Sequence, residues 1–376
     1  MNHKRKRLFF VGGEDVSLRI PMVKMLNELG YEVTVVGSEP RHIFDQANIR
    51  YFEYSLDRGF TPLLDVKAVY QLFRFFREKR PEIVHTFDTK PNILACIASW
   101  FARVPKTIRT INGMGDIFSS ESLRNAILSR IYNLSQYLAS GLSQYTIFQN
   151  IDDMKYFTSR GLVSTKKARY VAGSGVCVEA FEKSVGSEDY LAALKDDLNI
   201  FGRCTIILIS RIIKAKGIIE YLETARALSS HSKRLRFLLV GNIEAGVDAL
   251  HKSTIDEYSD VCRYLGRRDD VSSLIAISDI VVLPSYYKEG VPRALIEGAS
   301  LRKPLISSSV SGCRDIVIDK HNGLLVPPQD VKKLMEAILY LSHSPKICLE
   351  MGNKGRQLVE DKFSLKKVCE GWRALY

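Results

Sequence analysis

Ile280-Val-Val-Leu-Pro284-Ser285-Tyr-Tyr-Lys-Glu289-Gly290-Val291-Pro292-Arg-Ala-Leu-Ile-Glu297-Gly-Ala-Ser300 reads as one strand, one loop and one helix. An apolar run ended by Pro284 predicts a strand buried on both faces, as in a parallel sheet. Pro292 opens the next segment, where its missing N–H costs least, and Leu295, Ile296 and Ala299 give that helix an apolar face. Glu289 lies in the loop and Glu297 about one turn into the helix, so both carboxylates reach one cleft.

The same alternation extends in both directions. Leu8–Val11, Glu32–Val36, Ile83–Phe87, Thr107–Ile111 and Tyr145–Phe148 read as strands, separated by helical patterns over Leu18–Leu29, Asp65–Lys79, Asn92–Ala102 and Leu123–Ser140. A second series follows at Thr205–Ser210, Arg236–Val240, Val261–Leu265, Ile280–Pro284 and Pro304–Ser307. Strand–helix alternation of this kind predicts parallel sheets covered by helices on both faces. Gly173-Ser174-Gly175 and the polar stretch Lys183–Asp189 fall between the two series and read as the linker. The expectation is an α/β chain of two doubly wound, Rossmann-like domains in tandem, the first over 1–180 and the second over 190–362, with a last helix over 363–376.

Length and composition fit that plan. The 376 residues suit two domains, and 46% hydrophobic with 26% charged residues is the make-up of a folded globular chain. The apolar run Ile93–Phe101 is too short to span a bilayer, and the stretch after Lys4-Arg5-Lys6-Arg7 is too short for a signal-peptide core. Cytoplasmic residence is therefore expected. Seven cysteines without a C-x-x-C pair read as scattered reduced thiols rather than a zinc site. The net charge of +12 is uneven: residues 1–180 hold 25 Lys/Arg against 17 Asp/Glu. A basic surplus points to phosphorylated substrates or an anionic membrane as well as to a solvated surface. No basic-and-aromatic repeat, zinc finger or RNP-like segment is present, so nucleic acid is not an expected partner.

Ligands of doubly wound sheets bind at the carboxyl ends of strands. After Thr205–Ser210 come Arg211 and Lys216-Gly217, followed by a helix, which places two cations beside a helix N-terminus and makes a diphosphate clamp. Glu289 and Glu297 suit a grip on vicinal hydroxyls; the structural alternative is a helix-end charge and a local ion pair. Gly12-Gly13 after the first strand allows close backbone approach. Glu14-Asp15-Val16-Ser17 follow, so there is no G-x-G-x-x-G fingerprint and a nicotinamide dehydrogenase is disfavoured.

Taken together these motifs resemble the retaining glycosyltransferases of family 4, whose GT-B fold implies two Rossmann-like domains facing each other across a cleft, with the helix over 363–376 crossing back to the first. Glu289…Glu297 matches that family's E-x7-E motif, Arg211 and Lys216-Gly217 its R-x4-K-G pair, and Leu265-Gly-Arg-Arg268-Asp-Asp270-Val271 its base-contacting loop. Ser311-Gly-Cys-Arg-Asp315 through Asn322–Asp330 matches its closing signature. The resemblance implies that Arg211 and Lys216 bind the donor diphosphate, Glu297 the ribose and Glu289 the donor sugar. Gly12, Gly13, Arg268, Gly290 and Val291 complete the donor set. It implies no metal and no cofactor; cations at the leaving diphosphate stabilise developing charge directly.

His85-Thr-Phe-Asp88-Thr-Lys90-Pro91 resembles the H-T-H-T-P-K segment of members that elongate lipid-linked sugars, with Phe87 where a second histidine often stands. His85 is either a ligand or a satisfied core histidine, and Lys90 past the strand end is placed for a phosphate. Asn112 in Arg109-Thr-Ile-Asn112-Gly113-Met-Gly115-Asp116 replaces a histidine common in the family and is restricted to hydrogen bonding. His85, Lys90 and Asn112 form the acceptor set. Leu123–Leu142 reads as a core-packing helix or as part of a membrane-facing surface.

The expected activity is transfer of a hexose or N-acetylhexosamine from a UDP-linked nucleotide sugar. The acceptor is a lipid-linked, polyprenyl-diphosphate saccharide of bacterial surface polysaccharide, with peripheral contact to an anionic membrane. A soluble acceptor, a GT-B sugar-nucleotide epimerase and a non-catalytic nucleotide-sugar binding protein are the alternatives.

Overall fold

A computed structural model describes residues 5–57, 59, 61–114, 123–229, 234–244, 249–288 and 290–376, with the backbone alone over 123–127. The chain divides into two units, Met1–Gly175 with Leu365–Tyr376, and Val176–Ser364.

The first unit is a seven-stranded sheet in the order β3-β2-β1-β4-β5-β6-β7. Its elements are β1 (Lys6–Val11), α1 (Ile20–Glu28), β2 (Tyr31–Gly37), α2 (His42–Gln46), β3 (Arg50–Glu53), α3 (Pro62–Lys79), β4 (Ile83–Phe87), α4 (Thr89–Ala102), β5 (Lys106–Ile111), α5 (Leu123–Gly141), β6 (Tyr145–Phe148), α6 (Ile151–Ser159) and β7 (Ala168–Tyr170). Every strand pair is parallel. Parallel crossovers are right-handed, so connections leaving β1 and β4 in opposite directions lay their helices on opposite faces of the sheet. α3 packs on α4 and α4 on α5, covering one face.

The second unit begins with α7 (Val178–Lys183) and α8 (Glu188–Asp197). It continues through β8 (Cys204–Ile209), α9 (Ile218–Ser229), β9 (Leu235–Val240), α10 (Lys252–Asp256), β10 (Cys262–Tyr264), α11 (Val271–Ala276), β11 (Ile280–Leu283), α12 (Arg293–Ser300), β12 (Leu305–Ser308), α13 (Cys313–Ile316), β13 (Gly323–Val326), α14 (Val331–Ser342) and α15 (Pro345–Leu358). Its parallel sheet runs β10-β9-β8-β11-β12-β13, with the same reversal of winding between β8 and β11 that the first sheet has between β1 and β4. Of the two stretches read as the linker, Lys183–Asp189 joins α7 to α8 inside this unit, and the division falls at Gly175–Val176, the end of Gly173-Ser174-Gly175.

The last helix, α16 (Leu365–Arg373), packs on α1 and belongs to the first unit. It is anchored by Trp372, whose ring lies 5.8 Å from that of Phe10 in β1. β11 is buried along its whole length, and α12 seats Leu295, Ile296 and Ala299 against the core. Burial of a Leu or Ile side chain contributes about 1.5–3 kcal/mol. Gly298 permits that contact, because a Cβ there would come within 2.9 Å of Val281.

Candidate functional site

The reversal between β8 and β11 opens a crevice at the carboxyl ends of those two strands, where ligands of doubly wound sheets bind. Two loops are knitted together at its floor. The Ala215 carbonyl accepts from the backbone N–H groups of Tyr286 and Tyr287 at 2.9 and 3.0 Å and from Ser285 Oγ at 3.1 Å. Gly217 has φ +74°, and a Cβ on it would lie 2.2 Å from the Pro284 carbonyl oxygen, so only glycine lets the β8–α9 turn approach β11.

This turn carries the cations. Lys216 is buried, and its ammonium sits 4.9 Å from the centre of the Tyr287 ring. The Arg211 guanidinium lies 5.8 Å from the same ring, with Nη1 donating to Glu244 Oε2 at 3.1 Å. Two positive groups thus lie near one aromatic ring immediately before the N-terminus of α9, whose first N–H groups have no intrahelical acceptor. From the other side, α12 presents Glu297, buried and receiving a hydrogen bond from Arg293 Nε at 2.6 Å. Pro292 is the N-cap, one residue ahead of the helix, and Gly290 and Val291 are buried beside it. Glu289 lies outside the described residues, as do Lys4, Gly115 and Asp116.

Arg268 is paired with a carboxylate of its own loop. Its Nε and Nη2 each donate at 2.7 Å to the two oxygens of Asp270, which also accepts from Tyr190 Oη at 2.7 Å. The Arg268 fork holds the Asp270 carboxyl down at about 2.

In the first unit the corresponding reversal lies between β1 and β4, and Asp88 organises it. Asp88 caps α4 with φ +67°, a left-handed conformation uncommon outside glycine and concentrated at functional sites. Its Oδ2 accepts from the Gly13 N–H at 3.1 Å and its Oδ1 from Asn112 Nδ2 at 2.6 Å. Asn112 Oδ1 accepts in turn from Gln149 Nε2 at 3.1 Å. The loops after β1, β4, β5 and β6 are thereby joined in one chain of hydrogen bonds. Gly12 bonds the Val36 carbonyl at 2.9 Å and accepts from Tyr54 Oη at 3.0 Å.

Lys90 and His85 are held differently. Lys90 Nζ donates to Asp65 Oδ1 at 2.6 Å and to the Asp57 carbonyl at 2.9 Å, which ties α4 to the start of α3. His85 is wholly buried, with Nδ1 2.6 Å from Tyr376 Oη and Nε2 2.7 Å from Thr110 Oγ1. Burial pushes the imidazole well below its ordinary value, with Arg19 adding to the shift. The expectation that His85 contacts an acceptor is corrected: both ring nitrogens are used inside the core, and the residue docks the chain terminus.

Comparison with known proteins accounts for this arrangement. Residues 22–147 match the family model for glycosyltransferase family 4, and residues 194–358 match that for glycosyl transferases group 1. One match falls in each unit, and the chain is a glycosyltransferase. The enzyme is 22% identical over 353 residues to the N,N'-diacetylbacillosaminyl-diphospho-undecaprenol alpha-1,3-N-acetylgalactosaminyltransferase of Campylobacter jejuni, covering 93% of this chain and 92% of that one. It is 24% identical over 331 residues to the UDP-Gal:alpha-D-GlcNAc-diphosphoundecaprenol alpha-1,3-galactosyltransferase of Escherichia coli, covering 87% and 83%.

Among solved structures, Anabaena Alr3699/HepE in complex with UDP and glucose superposes with a TM-score of 0.79 at 16% identity over 99% of both chains. A glycosyltransferase from Rickettsia africae superposes at 0.79 with 19% identity, covering 100% of this chain and 98% of that one. The glycosyltransferase therefore has the GT-B fold.

Several residues of these networks escaped the sequence reading, among them Arg293, which bonds Glu297. Glu244 and Gln149 each lie just past a strand end, which is the signal that was available for them. Tyr287 sits within the decisive stretch itself. Asp88 stood in a quoted motif, but its positive φ is not visible in sequence.

Proposed function

We propose that the enzyme transfers a hexose or N-acetylhexosamine from a UDP-linked donor to a saccharide carried on polyprenyl diphosphate, with retention of anomeric configuration and without a metal ion. The observation that carries the donor half is the placement of Arg211 and Lys216 near the Tyr287 ring at the β8/β11 reversal. In this reading the two cations and the α9 N-terminus take the diphosphate. As the glycosidic bond breaks, negative charge grows on the leaving phosphate oxygen, and fixed cations lower that barrier with little reorganisation. Glu297, buried and aimed by Arg293, accepts from the ribose hydroxyls, while Glu289 with Gly290 and Val291 addresses the donor sugar.

In the first unit Asn112 orients an acceptor hydroxyl, its own amide fixed by Asp88 and Gln149. Lys90 meets the acceptor diphosphate, which has to compete with Asp65 for the ammonium. The lipid-linked acceptor is supported by the two relatives whose substrates carry diphospho-undecaprenol, and the UDP donor by the galactosyl relative and by the UDP bound in the Anabaena structure. The enzyme then works peripherally at the cytoplasmic face of the membrane. Among the described residues no helix is long and apolar enough to cross it.

The test is incubation with a panel of α-configured UDP-sugars and a synthetic polyprenyl-diphosphate saccharide, with proton NMR of the product linkage. An α-linked product supports the reading. A β-linked product contradicts retention, and a donor hydrolysed or epimerised with no saccharide product contradicts transfer.

A further inference from the structure

We propose that Arg203, Arg236 and Arg263 form an oxyanion site for a phosphoryl group at the amino ends of β8, β9 and β10, separate from the transfer reaction proposed above.

The register of the second sheet brings the three together. Arg236 in β9 pairs with Thr205 of β8, two residues past Arg203, and Arg263 in β10 pairs with Leu238, two residues past Arg236. Side chains two apart along a strand share a face, so the arginines step diagonally across one face of three neighbouring strands. Strands lie about 4.8 Å apart and rise about 3.3 Å per residue, which puts successive Cα atoms on that diagonal about 8 Å apart. Arginine side chains span such a gap.

All three are half-buried, and little neutralises them. Arg263 donates from Nη1 to the Asp197 carbonyl and from Nη2 to Asp197 Oδ2 at 3.1 Å, where α8 ends, and that carboxylate side chain is itself 65% exposed. Among the described residues the Arg203 and Arg236 guanidinium groups meet no carboxylate and no hydrogen-bond acceptor, and Arg236 Nε is sealed from solvent in that state. Burial first, then the charges of Arg203 and Arg263, pull Arg236 below its ordinary value. Like charges on neighbouring strands repel, and a covered guanidinium without an acceptor has given up its hydration. Freely solvated surface arginines carry neither cost.

A bound anion offsets both costs, and the number of forks selects its shape. Guanidinium groups arriving from three strands match the tetrahedrally arranged oxygens of a phosphoryl group, whereas a carboxylate offers two oxygens in one plane. The donor clamp is a different place. Arg203 precedes β8 and Arg211 follows it, so extended chain on the order of 25 Å long separates the two cations.

The test titrates inorganic phosphate into the full-length protein by calorimetry at constant ionic strength, in the wild type and in Lys216→Ala, which disables the donor clamp. Thermal melts are recorded with and without phosphate. Expected is phosphate binding of equal strength in both proteins. The pair Arg203→Gln and Arg236→Gln weakens it by about tenfold or more, while Lys332→Gln, which removes an exposed cation from α14, leaves it unchanged. Phosphate raises the melting temperature of the wild type and not of the arginine pair. Without phosphate the pair melts at or above the wild-type temperature, because repulsion is relieved. Glycerol 3-phosphate is titrated beside phosphate: tighter binding assigns the site to a phosphomonoester and weaker binding to the free ion, and either supports it. Absence of phosphate binding, or binding lost in Lys216→Ala, overturns the proposal. So does equal affinity in the arginine pair, or stabilisation of the wild type by chloride as large as that by phosphate. A pair that fails to fold or melts lower without phosphate shows that the arginines serve the sheet, and also overturns it.

Discussion

Asp88 Oδ1 accepts a hydrogen bond from Asn112 Nδ2 at 2.6 Å while its Oδ2 accepts one from the Gly13 N–H at 3.1 Å. One carboxylate in a left-handed backbone conformation therefore fixes the loops that follow three adjacent strands. Removing it leaves the Asn112 amide held by Gln149 alone. Asp88→Ala is predicted to lower kcat/KM for the acceptor by about 10- to 100-fold, the scale of a lost charge-assisted hydrogen bond, with the affinity for UDP within about twofold of wild type. Steady-state kinetics beside a UDP titration checks this; an equal loss in both would show that Asp88 serves the fold rather than the acceptor.

Glu297 and Arg293 form a couple at 2.6 Å, with the carboxylate the more buried partner. Glu297→Ala is predicted to weaken UDP binding by about tenfold or more, because the ribose hydroxyls lose a charged acceptor. Glu289→Ala is predicted to spare UDP affinity and reduce transfer. Isothermal titration with UDP separates the two, and equal affinity in the wild type and the Glu297 variant would contradict the ribose assignment.

His85 links acidity to stability. Its folded-state value lies well below the ordinary 6.5 because burial disfavours the charged ring. The unfolded chain therefore takes up a proton that the folded chain refuses as pH falls below about 6.5, where the unfolded ring titrates. Stability is full above that pH and falls below it by about 1.4 kcal/mol per unit from this residue. Denaturant melts between pH 7 and pH 5 should show the loss, and His85→Gln should flatten the slope in that interval while being less stable throughout. An unchanged slope in the variant would remove His85 as the source.

Arg109 is wholly buried, bonding Thr146 at 2.9 Å and Gln136 at 2.7 Å. Arg109→Ala leaves a cavity and two polar partners unsatisfied, and a loss of about 3–5 kcal/mol is expected from urea unfolding. A loss under about 1 kcal/mol would mean that water replaces the guanidinium.

The winding of both sheets was legible in sequence because fully buried strands such as Ile280–Leu283 and Ile83–Phe87 are unbroken apolar runs bounded by turn residues. The strands that went unread are the short sheet edges, β3, β7 and β13. Arg50–Glu53 and Ala168–Tyr170 carry charge on strands half open to solvent, and Gly323–Val326 starts on a glycine, so none shows the apolar signature. In the site, Arg211, Lys216 and Glu297 were visible because they hold fixed places after a strand or within the first turns of a helix. The partners that position them, Tyr287 and Arg293, and the Asp88 network depend on side-chain direction and on a positive φ, neither of which a residue type reveals. The same limit explains His85: its place at a strand end suited a ligand, and only the docking of Tyr376 from α16's end shows that it faces the core.

In the proposed reaction the basic turn after β8 drives glycosyl transfer from a nucleoside diphosphate sugar. UDP release and glycosylated lipid are measured together, in wild type and in Lys216→Ala. Expected are one UDP released per saccharide extended in the wild type, no release without acceptor above a slow background, and turnover lower by about 10²-fold in the variant with the fold unchanged by circular dichroism. UDP release uncoupled from product, or wild-type turnover after loss of Lys216, would contradict it.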